Sequence, residues 1–279
     1  MTSTVDTTRE LAAFLRTRRE RLTPDAAGLP PRGQQRRTPG LRREEVAELA
    51  GVSTDYVVRL EQGRGLRPSV EVLDALARAL RLTDSERIYL FDLAQQRLPS
   101  SVQPEREVPA PALTKLIQVF SPLPAMLVNH RCDILAWNPE MAALLLDFAA
   151  VPARHRNALW LCLMHPDLRD LYGNRERIIQ DGIADLRAAW AAHPDDTALA
   201  AMITELTETS PEFADNWDRR DVLVRSRGRK LMRHPIVGDL MVEFEVLLSQ
   251  HDPDQRIIVY HAADDASEAA LARLRAAGR

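Results

Sequence analysis

The residue types that most often perform chemistry in proteins are sparse in this chain and lack the spacings of known sites. There are two cysteines, Cys132 and Cys162, which form no C-x-x-C pair, and the seven histidines show no H-x-H or H-E-x-x-H spacing. Zinc sites are built from such close pairs, and disulfide frameworks need several cysteines in a short chain. We therefore predict neither a metal site nor a disulfide.

Catalysis has equally little support. The sequence contains no G-x-S-x-G, P-loop or G-x-G-x-x-G motif, the patterns that mark nucleophile elbows and phosphate-binding loops. Ser210, His234 and an aspartate can be combined into a triad on paper, but almost any domain offers such a set. We expect a protein that is not an enzyme, with no catalytic residue and no cofactor.

Arginine is the residue type whose placement points to a binding partner. The chain carries a net charge of −3, yet residues 9–67 hold 13 arginines and 8 acidic residues, a local charge of +5, whereas residues 98–279 carry −6. Guanidinium groups bind phosphates, so a cluster of them at one end suits a polyanion. The elements that position these arginines therefore matter most.

Helical patterns fill the N-terminal 97 residues. The capping-box spacings Thr7-x-x-Glu10 and Thr83-x-x-Glu86 predict two helix starts, and Ser69 can cap a third helix. Residues 28–40 hold three prolines, three glycines and three arginines, which predicts an exposed basic loop. We predict an all-α bundle over residues 1–97.

The most informative stretch is 41–69. Val46, Ala47 and Ala50 line one predicted helix, and Gly51 lets the chain leave it with a positive φ. Ser53 can cap the next helix, whose apolar residues Val57 and Leu60 face back to the first. The pattern predicts two short helices at a sharp angle.

This stretch resembles the helix-turn-helix of the XRE/lambda-repressor-like regulators. The matching features are the small residue Ala47, Gly51 at the turn and the R-L-E-x-G sequence at 59–63. The resemblance implies that the helix beginning at Ser53 enters the major groove of double-stranded DNA. An arginine can bind guanine O6 and N7, and an aspartate can accept from cytosine N4.

Carried over residue by residue, the resemblance assigns base contacts to Thr54, Asp55 and Arg59, and phosphate contacts to Ser53, Tyr56, Arg43 and Arg64. Arg42 and Arg43 replace the Thr-Gln that is common at this helix start. Arginines at a helix N-terminus oppose the macrodipole, a cost that an adjacent phosphate would offset, although Glu44 and Glu45 can also balance them. We include Arg42 in the predicted DNA-binding set.

Two alternatives stay open at this point. Residues 41–69 can instead form a helical hairpin with a solvated charged face. Arg32, Arg36 and Arg37 in the basic loop can contact the DNA backbone or minor groove, or can simply be solvated.

Downstream, residues 98–111 contain four prolines and no apolar periodicity, which predicts a linker. The remainder, 112–279, alternates strand and helix patterns. A hairpin is predicted from the strands Ala125–Asn129 and Asp133–Asn138. Helical patterns follow at Pro139–Phe148, Asn157–Met164, Arg175–Ala192, Asp196–Thr209 and Pro211–Asp218. Strand patterns return at Val222–Arg225, Lys230–His234, Asp239–Leu248 and Arg256–His261, and a last helix is predicted at Ser267–Ala277. This order predicts an α+β domain with an antiparallel sheet.

Several short motifs in this domain resemble the MmyB-like ligand-binding domain, over roughly 112–262. They are Val128-Asn129-His130, the run Ile134–Pro139, N-A-L-W-L at 157–161, S-P-E-F at 210–213 followed by Trp217, and H-P-x-x-G-D-L at 234–240. The resemblance implies a PAS-like fold and a pocket for a small, mostly apolar molecule, with a fatty acid among the candidates. The chain departs from its relatives at 163–166 and 172–174, so its ligand can differ from theirs.

All four tryptophans lie beyond residue 97. Large aromatic side chains suit a pocket wall, although they also suit a core, and the two histidines can equally be structural. The predicted ligand-binding set is Trp137, Trp160, Met164, His165, Trp217, Leu223 and His234.

We predict a cytoplasmic transcription regulator with no membrane segment, which binds double-stranded DNA as a homodimer and responds to a small apolar effector. The alternative for residues 112–279 is a protein-interaction or dimerisation module without a ligand. A cavity lined by Trp137, Trp160, Met164 and Leu223 would favour the sensor, and a solid core would favour the module.

Overall fold

The computed structural model describes residues 6–29, 40–64, 67–94 and 108–277. The chain divides into two compact units. The first comprises Met1–Ser100, Arg187–Thr204 and Arg219–Leu223, and the second comprises Ser101–Leu186, Glu205–Asp218 and Val224–Arg279. The basic loop with Arg32, Arg36 and Arg37, and most of the predicted linker, fall outside the described residues.

The N-terminal part of the first unit is helical, as predicted. Its helices are α1 (Thr7–Arg21), α2 (Pro24–Ala27), α3 (Arg43–Ala50), α4 (Thr54–Glu61), α5 (Val70–Ala79) and α6 (Asp84–Ala94). Two predicted caps are confirmed. The Ser69 hydroxyl accepts from the Val72 amide at the start of α5, and Thr83 and Glu86 form a reciprocal capping box before α6.

The predicted capping box at Thr7 is wrong. Asp6 caps α1 instead, through a 3.0 Å hydrogen bond from the Arg9 amide to its carboxylate. Glu10 does not reach back, because its carboxylate accepts from Arg187 Nη1 at 2.7 Å and from the Tyr89 hydroxyl at 3.0 Å. Burial raises the pKa of Tyr89 far above its ordinary value, so the phenol stays a neutral donor.

One apolar cluster forms the core of the first unit. Its most buried members from the helical region are Phe14, Leu41, Leu73, Leu76 and Leu90. Ala191 and Val222, from the later segments of this unit, are buried in the same cluster.

The second unit contains a five-stranded antiparallel sheet. Its strands are β1 (Ala125–Asn129), β2 (Ile134–Trp137), β3 (Arg227–His234), β4 (Gly238–Leu248) and β5 (Gln255–Ala262), in the order β2-β1-β5-β4-β3. The predicted hairpin is present, since Met126 of β1 lies opposite Trp137 of β2. A helical N-terminal region followed by an α+β domain with an antiparallel sheet confirms the predicted fold class.

Helices surround this sheet in sequence: α7 (Pro111–Val119), α8 (Pro139–Leu144), α9 (Ala158–Met164), α10 (Pro166–Leu171), α11 (Arg175–Ala192), α12 (Thr197–Thr209), α13 (Pro211–Asp218) and α14 (Asp265–Ala277). The last residues of α11 and most of α12 belong to the first unit. One face of the sheet, with Leu127, Ile257 and Val259, packs against Ile117 of α7.

Two predicted elements differ from the structure. Val222–Arg225 has no regular secondary structure, because only Val222 of that run is buried and it lies in the core of the first unit, away from any strand partner. Helix α8 ends at Leu144 rather than Phe148, because Asp147 starts a turn in which its carboxylate accepts from the Ala149 amide.

Asn138 is fully buried and caps the start of α8. Its Oδ1 accepts from the Met141 and Ala125 amides, and its Nδ2 donates to the Leu123 carbonyl. Within the part of the chain that the structure describes, no helix has both the length and the hydropathy of a membrane span.

Candidate nucleic-acid interface and ligand site

Helices α3 and α4 form the predicted pair of short helices. Gly51 ends α3 with φ 66°, and the Ser53 hydroxyl accepts from the Tyr56 amide at 3.1 Å to begin α4. The side chains predicted to join the helices, Val46, Ala47, Ala50, Val57 and Leu60, are all buried. The turn is therefore fixed by backbone geometry and a shared apolar contact.

The residues predicted to contact bases lie on the opposite side of α4. Thr54, Asp55 and Arg59 are exposed, and so are the flanking residues Ser53 and Arg64. Burial of Val57 and Leu60 fixes the rotation of the helix, so these polar side chains point to solvent together.

The buried carboxylate of Glu61, the last residue of α4, was not predicted from the sequence. Glu61 is 2% exposed and accepts from Arg19 Nε at 2.6 Å and from Arg43 Nε at 2.7 Å. Arg19 also donates to the Leu41 carbonyl. The spacing of Val57, Leu60 and Glu61 (i, i+3, i+4) places Glu61 on the buried stripe, and this was the available sequence signal.

Arg43 therefore forms a structural ion pair with Glu61 in addition to the predicted phosphate contact. Its Nε is held by Glu61, while the side chain remains 42% exposed. The backbone amide of Arg42 donates to Glu45 at 2.8 Å, and the Arg42 side chain is partly exposed at the start of α3. Tyr56 is half-buried, and burial raises the pKa of its hydroxyl.

The exposed side of α4 can bind a phosphate backbone and read base edges. Cationic side chains lie toward the C-terminal end of α4: Arg59 is in its last turn, Arg64 follows it, and Arg43 of α3 is bonded to Glu61. Asp55, on α4, is an acceptor that a cytosine amine could satisfy.

The second unit contains a pocket of about 300 Å³ beside α9. The loop after α8 and the starts of α9 and α10 form its wall, which consists of Leu146, Asp147, Ala150, Val151, Pro152, His155, Trp160, His165 and Asp167. The His155 and Trp160 rings are stacked, with their centroids 4.1 Å apart and their planes 4° from parallel. This flat surface can hold an apolar or aromatic group.

Comparison with known families identifies both regions of the chain. Residues 10–90 match a helix-turn-helix domain family. Residues 109–274, more than half of the chain, match the MmyB-like transcription regulator ligand binding domain. The chain belongs to this MmyB-like family. Among curated proteins, none matches the chain. Both resemblances stated from the sequence, to a helix-turn-helix regulator and to the MmyB-like domain, are thereby confirmed.

In this MmyB-like regulator, the pocket wall contains Trp160 and His165 from the predicted ligand-binding set. Met164 lies at the end of α9 and is half-buried. Trp137 packs on Phe148, with ring centroids 5.3 Å apart, and stacks with the Arg156 guanidinium.

The other predicted ligand residues have structural partners or lie elsewhere. Trp217 stacks on Phe213 within α13. His234 is buried, lies 3.2 Å from the Ala143 carbonyl oxygen and accepts from the Ile236 amide. Burial lowers the pKa of His234, so its ring is neutral at neutral pH. Leu223 belongs to the first unit. Their role in ligand binding stays a prediction.

Sequence reasoning missed most of the pocket wall. Leu146, Asp147, Val151 and His155 come from an irregular loop, where neither helical nor strand periodicity marks the buried side. A predicted helix over Pro139–Phe148 also placed Leu146 and Asp147 in the wrong element.

Proposed function

We propose that this MmyB-like regulator binds DNA in a sequence-specific manner by inserting α4 into the major groove. The observation that carries the proposal is the division of α4 into two faces. Val57, Leu60 and Glu61 are buried, whereas Thr54, Asp55 and Arg59 are exposed together. A helix with only a solvated charged face would not need the fixed turn at Gly51.

Each exposed residue has a role in this proposal. Arg59 binds guanine through O6 and N7, Asp55 accepts from cytosine, and Thr54 contacts a neighbouring base edge. Ser53, Tyr56, Arg42, Arg43 and Arg64 contact phosphates and set the position of the helix. Glu61 holds Arg43 by its Nε, so that the rest of its guanidinium can face the DNA backbone.

The protein is proposed to act as a homodimer in the cytoplasm, as expected of an XRE-type regulator. One recognition helix covers only a few base pairs, and two half-sites one helical turn apart raise affinity and specificity together. Selection of duplexes from a random library by the full-length protein should enrich an inverted repeat with half-sites centred about 10 base pairs apart. Enrichment of no sequence would contradict the proposal.

Substitution of Arg64 tests the phosphate contacts. Arg64→Ala should weaken binding to every duplex alike and reduce the slope of log affinity against log salt by about one unit. Arg169→Ala, which removes an exposed arginine from α10, is the matched control and should change neither quantity. Arg64 is preferable to Arg43, because removing Arg43 also disturbs Glu61.

The second unit is proposed to be a PAS-like sensor of a small, mostly apolar molecule, with fatty acids among the candidate classes. The pocket beside Trp160 supports this proposal, because about 300 Å³ lies at the lower end of the range for small-molecule sites. Mass spectrometry of the protein purified under native conditions should detect a co-purified small molecule. A ligand-free protein that melts at the same temperature with every apolar compound tested would favour the interaction module.

The ligand must change the affinity for DNA for the protein to act as a switch, and it can do so only by binding two states unequally. The matched ligand-binding region includes Arg187, whose side chain is 2% exposed and which forms an ion pair with Glu10 of α1. Both residues lie in the first unit, so a segment of the matched ligand-binding region packs with the helical bundle within that unit. A saturating ligand that leaves the affinity for DNA unchanged would contradict the switch.

A further inference from the structure

The wall of the pocket beside Trp160 is held in place from two sides. On the loop side, Arg156 donates from Nε to the Phe148 carbonyl at 2.9 Å and from Nη2 to the Val151 carbonyl at 3.0 Å. On the helix side, the Asn157 side chain accepts from the Trp160 amide at 3.0 Å and so fixes the first turn of α9. A cavity whose wall is already ordered needs little rearrangement to bind a ligand.

The apolar part of this wall presents a flat aromatic surface. The rings of His155 and Trp160 lie in nearly parallel planes, and Leu146 and Val151 stand in the same wall. Trp160 is half-buried, so part of its indole remains accessible. The face of an indole stacks with other planar rings and also attracts cations.

The charged part of the wall is acidic. Asp147 and Asp167 lie in it, and it contains no lysine or arginine. In the part of the chain that the structure describes, neither carboxylate has a basic side chain within ion-pair distance. Asp147 accepts one hydrogen bond, from the Ala149 amide at 3.0 Å. Asp167 stands in the first turn of α10, where the helix dipole favours a carboxylate but leaves its oxygens free to accept.

The two arginines nearest in sequence do not neutralise these carboxylates. Arg154 donates from Nε to His155 Nε2 at 3.3 Å. Arg156 donates to two carbonyls and stacks on Trp137, with its guanidinium carbon 5.1 Å from the ring centre. Both arginines therefore bind neutral groups, and the pocket combines unpaired negative charge with an aromatic plane.

We propose that this pocket binds an organic cation, namely a protonated amine attached to a flat aromatic group. The aromatic group lies against Trp160, and the ammonium lies beside Asp147 and Asp167. The inference rests on the proposed function of the second unit as a sensor, and it deepens that function by naming the chemical class of the ligand. A carboxylic acid suits this pocket least, because two unpaired carboxylates in the wall repel it.

Three indole compounds of matched size test the role of charge. At neutral pH tryptamine is a cation, tryptophol is neutral and indole-3-propionate is an anion. Isothermal titration calorimetry measures their binding to the full-length protein at low salt. The wild type should bind tryptamine about tenfold more tightly than tryptophol, because a charge-assisted hydrogen bond to an exposed carboxylate lies at the lower end of its range. Indole-3-propionate should bind most weakly, and equal affinity for all three compounds would overturn the proposal without any variant.

Variants then assign the contacts. Asp147→Asn combined with Asp167→Asn should lower the affinity for tryptamine about tenfold, to that for tryptophol, and leave tryptophol binding unchanged. Trp160→Ala should weaken the binding of both compounds. Asp170→Asn, which removes an exposed carboxylate of α10 outside the pocket wall, is the matched control and should change neither affinity. Circular dichroism verifies that each variant is folded, and a double variant that still prefers tryptamine would overturn the assignment.

The outcomes separate this inference from the proposed sensor function. If indole-3-propionate binds most tightly and Trp160→Ala abolishes its binding, the pocket takes an acid, which overturns the inference and supports the sensor. Binding of none of the three compounds overturns the inference alone. The sensor function fails with it only if the natively purified protein also carries no small molecule.

Discussion

Replacing Glu61 with glutamine removes a carboxylate from the buried side of α4 and leaves a side chain of almost the same shape. In the native protein this carboxylate accepts from Arg19 and Arg43. The side chain of Arg19 is 8% exposed, so Glu61→Gln leaves a buried guanidinium without its main counter-charge.

The magnitude follows from the burial of each partner. Leaving one member of a buried ion pair uncompensated costs roughly 3–5 kcal/mol. Arg19 retains bonds to the Leu41 carbonyl and to Glu20, and the glutamine carbonyl can still accept one bond, so the lower part of that range applies. Arg43 is 42% exposed, and solvent screening limits its share to less than about 1 kcal/mol. We expect a loss of about 3 kcal/mol from the free energy of unfolding of the first unit.

Urea unfolding followed by circular dichroism measures this loss, and hydrogen exchange of peptides from α1 and α4 assigns it to the first unit. Glu48→Gln, which removes the same charge from an exposed position on α3, is the matched control and should change stability by less than about 0.5 kcal/mol. If Glu61→Gln matches the control, the buried carboxylate does not hold the two arginines as described.

Three further predictions concern single positions. Gly51→Ala should destabilise the first unit by about 1 kcal/mol in urea unfolding, because φ is 66° there although no atom obstructs a Cβ; an unchanged midpoint would contradict the strained turn. Asn138→Ala should lower the melting temperature of the second unit by several degrees, since about 2–4 kcal/mol of buried hydrogen bonds is lost, whereas an exposed Gln118→Ala should not. Burial raises the pKa of Cys132 to about 11 from 9.0, so the native thiol should react slowly with Ellman's reagent at pH 8, and stability should fall from pH 9 to 11 as the unfolded chain loses the thiol proton first. Rapid native labelling of Cys132 at pH 8, in a Cys162→Ala background, would refute that burial.

The local signals at helix starts and turns were sufficient to predict much of the fold. Ser53, Ser69 and Thr83 cap helices because a hydroxyl satisfies amides that the first turn leaves unbonded. Each of these caps depends only on residues within four positions of each other. The structure therefore confirms them. The cap at Thr7 failed because Glu10 has a partner, Arg187, that lies far away in sequence.

Proline was the main source of missed helices. Helices α2, α7 and α10 begin at Pro24, Pro111 and Pro166, where the missing amide costs nothing in the first turn. Pro111 was assigned to the predicted linker, and no helix was predicted after Pro24 or Pro166. A proline followed by apolar residues at helical spacing can therefore mark the start of a helix as well as the end of one.

The two candidate sites also differ in how far the sequence predicts them. The exposed face of α4 was predictable, because helical periodicity assigns each residue to the core or to solvent. The pocket beside Trp160 was not, because it is assembled from helix ends and a loop that only tertiary packing brings together.

The central claim is that Arg59 reads a base from the exposed face of α4. Its most direct test is selection of DNA duplexes by wild-type protein and by Arg59→Ala, followed by sequencing. The variant should lose the preference for a G·C pair at one position of each half-site and keep the preferences elsewhere. An unchanged preference at every position, with reduced affinity only, would show that Arg59 contacts phosphate and would contradict the account.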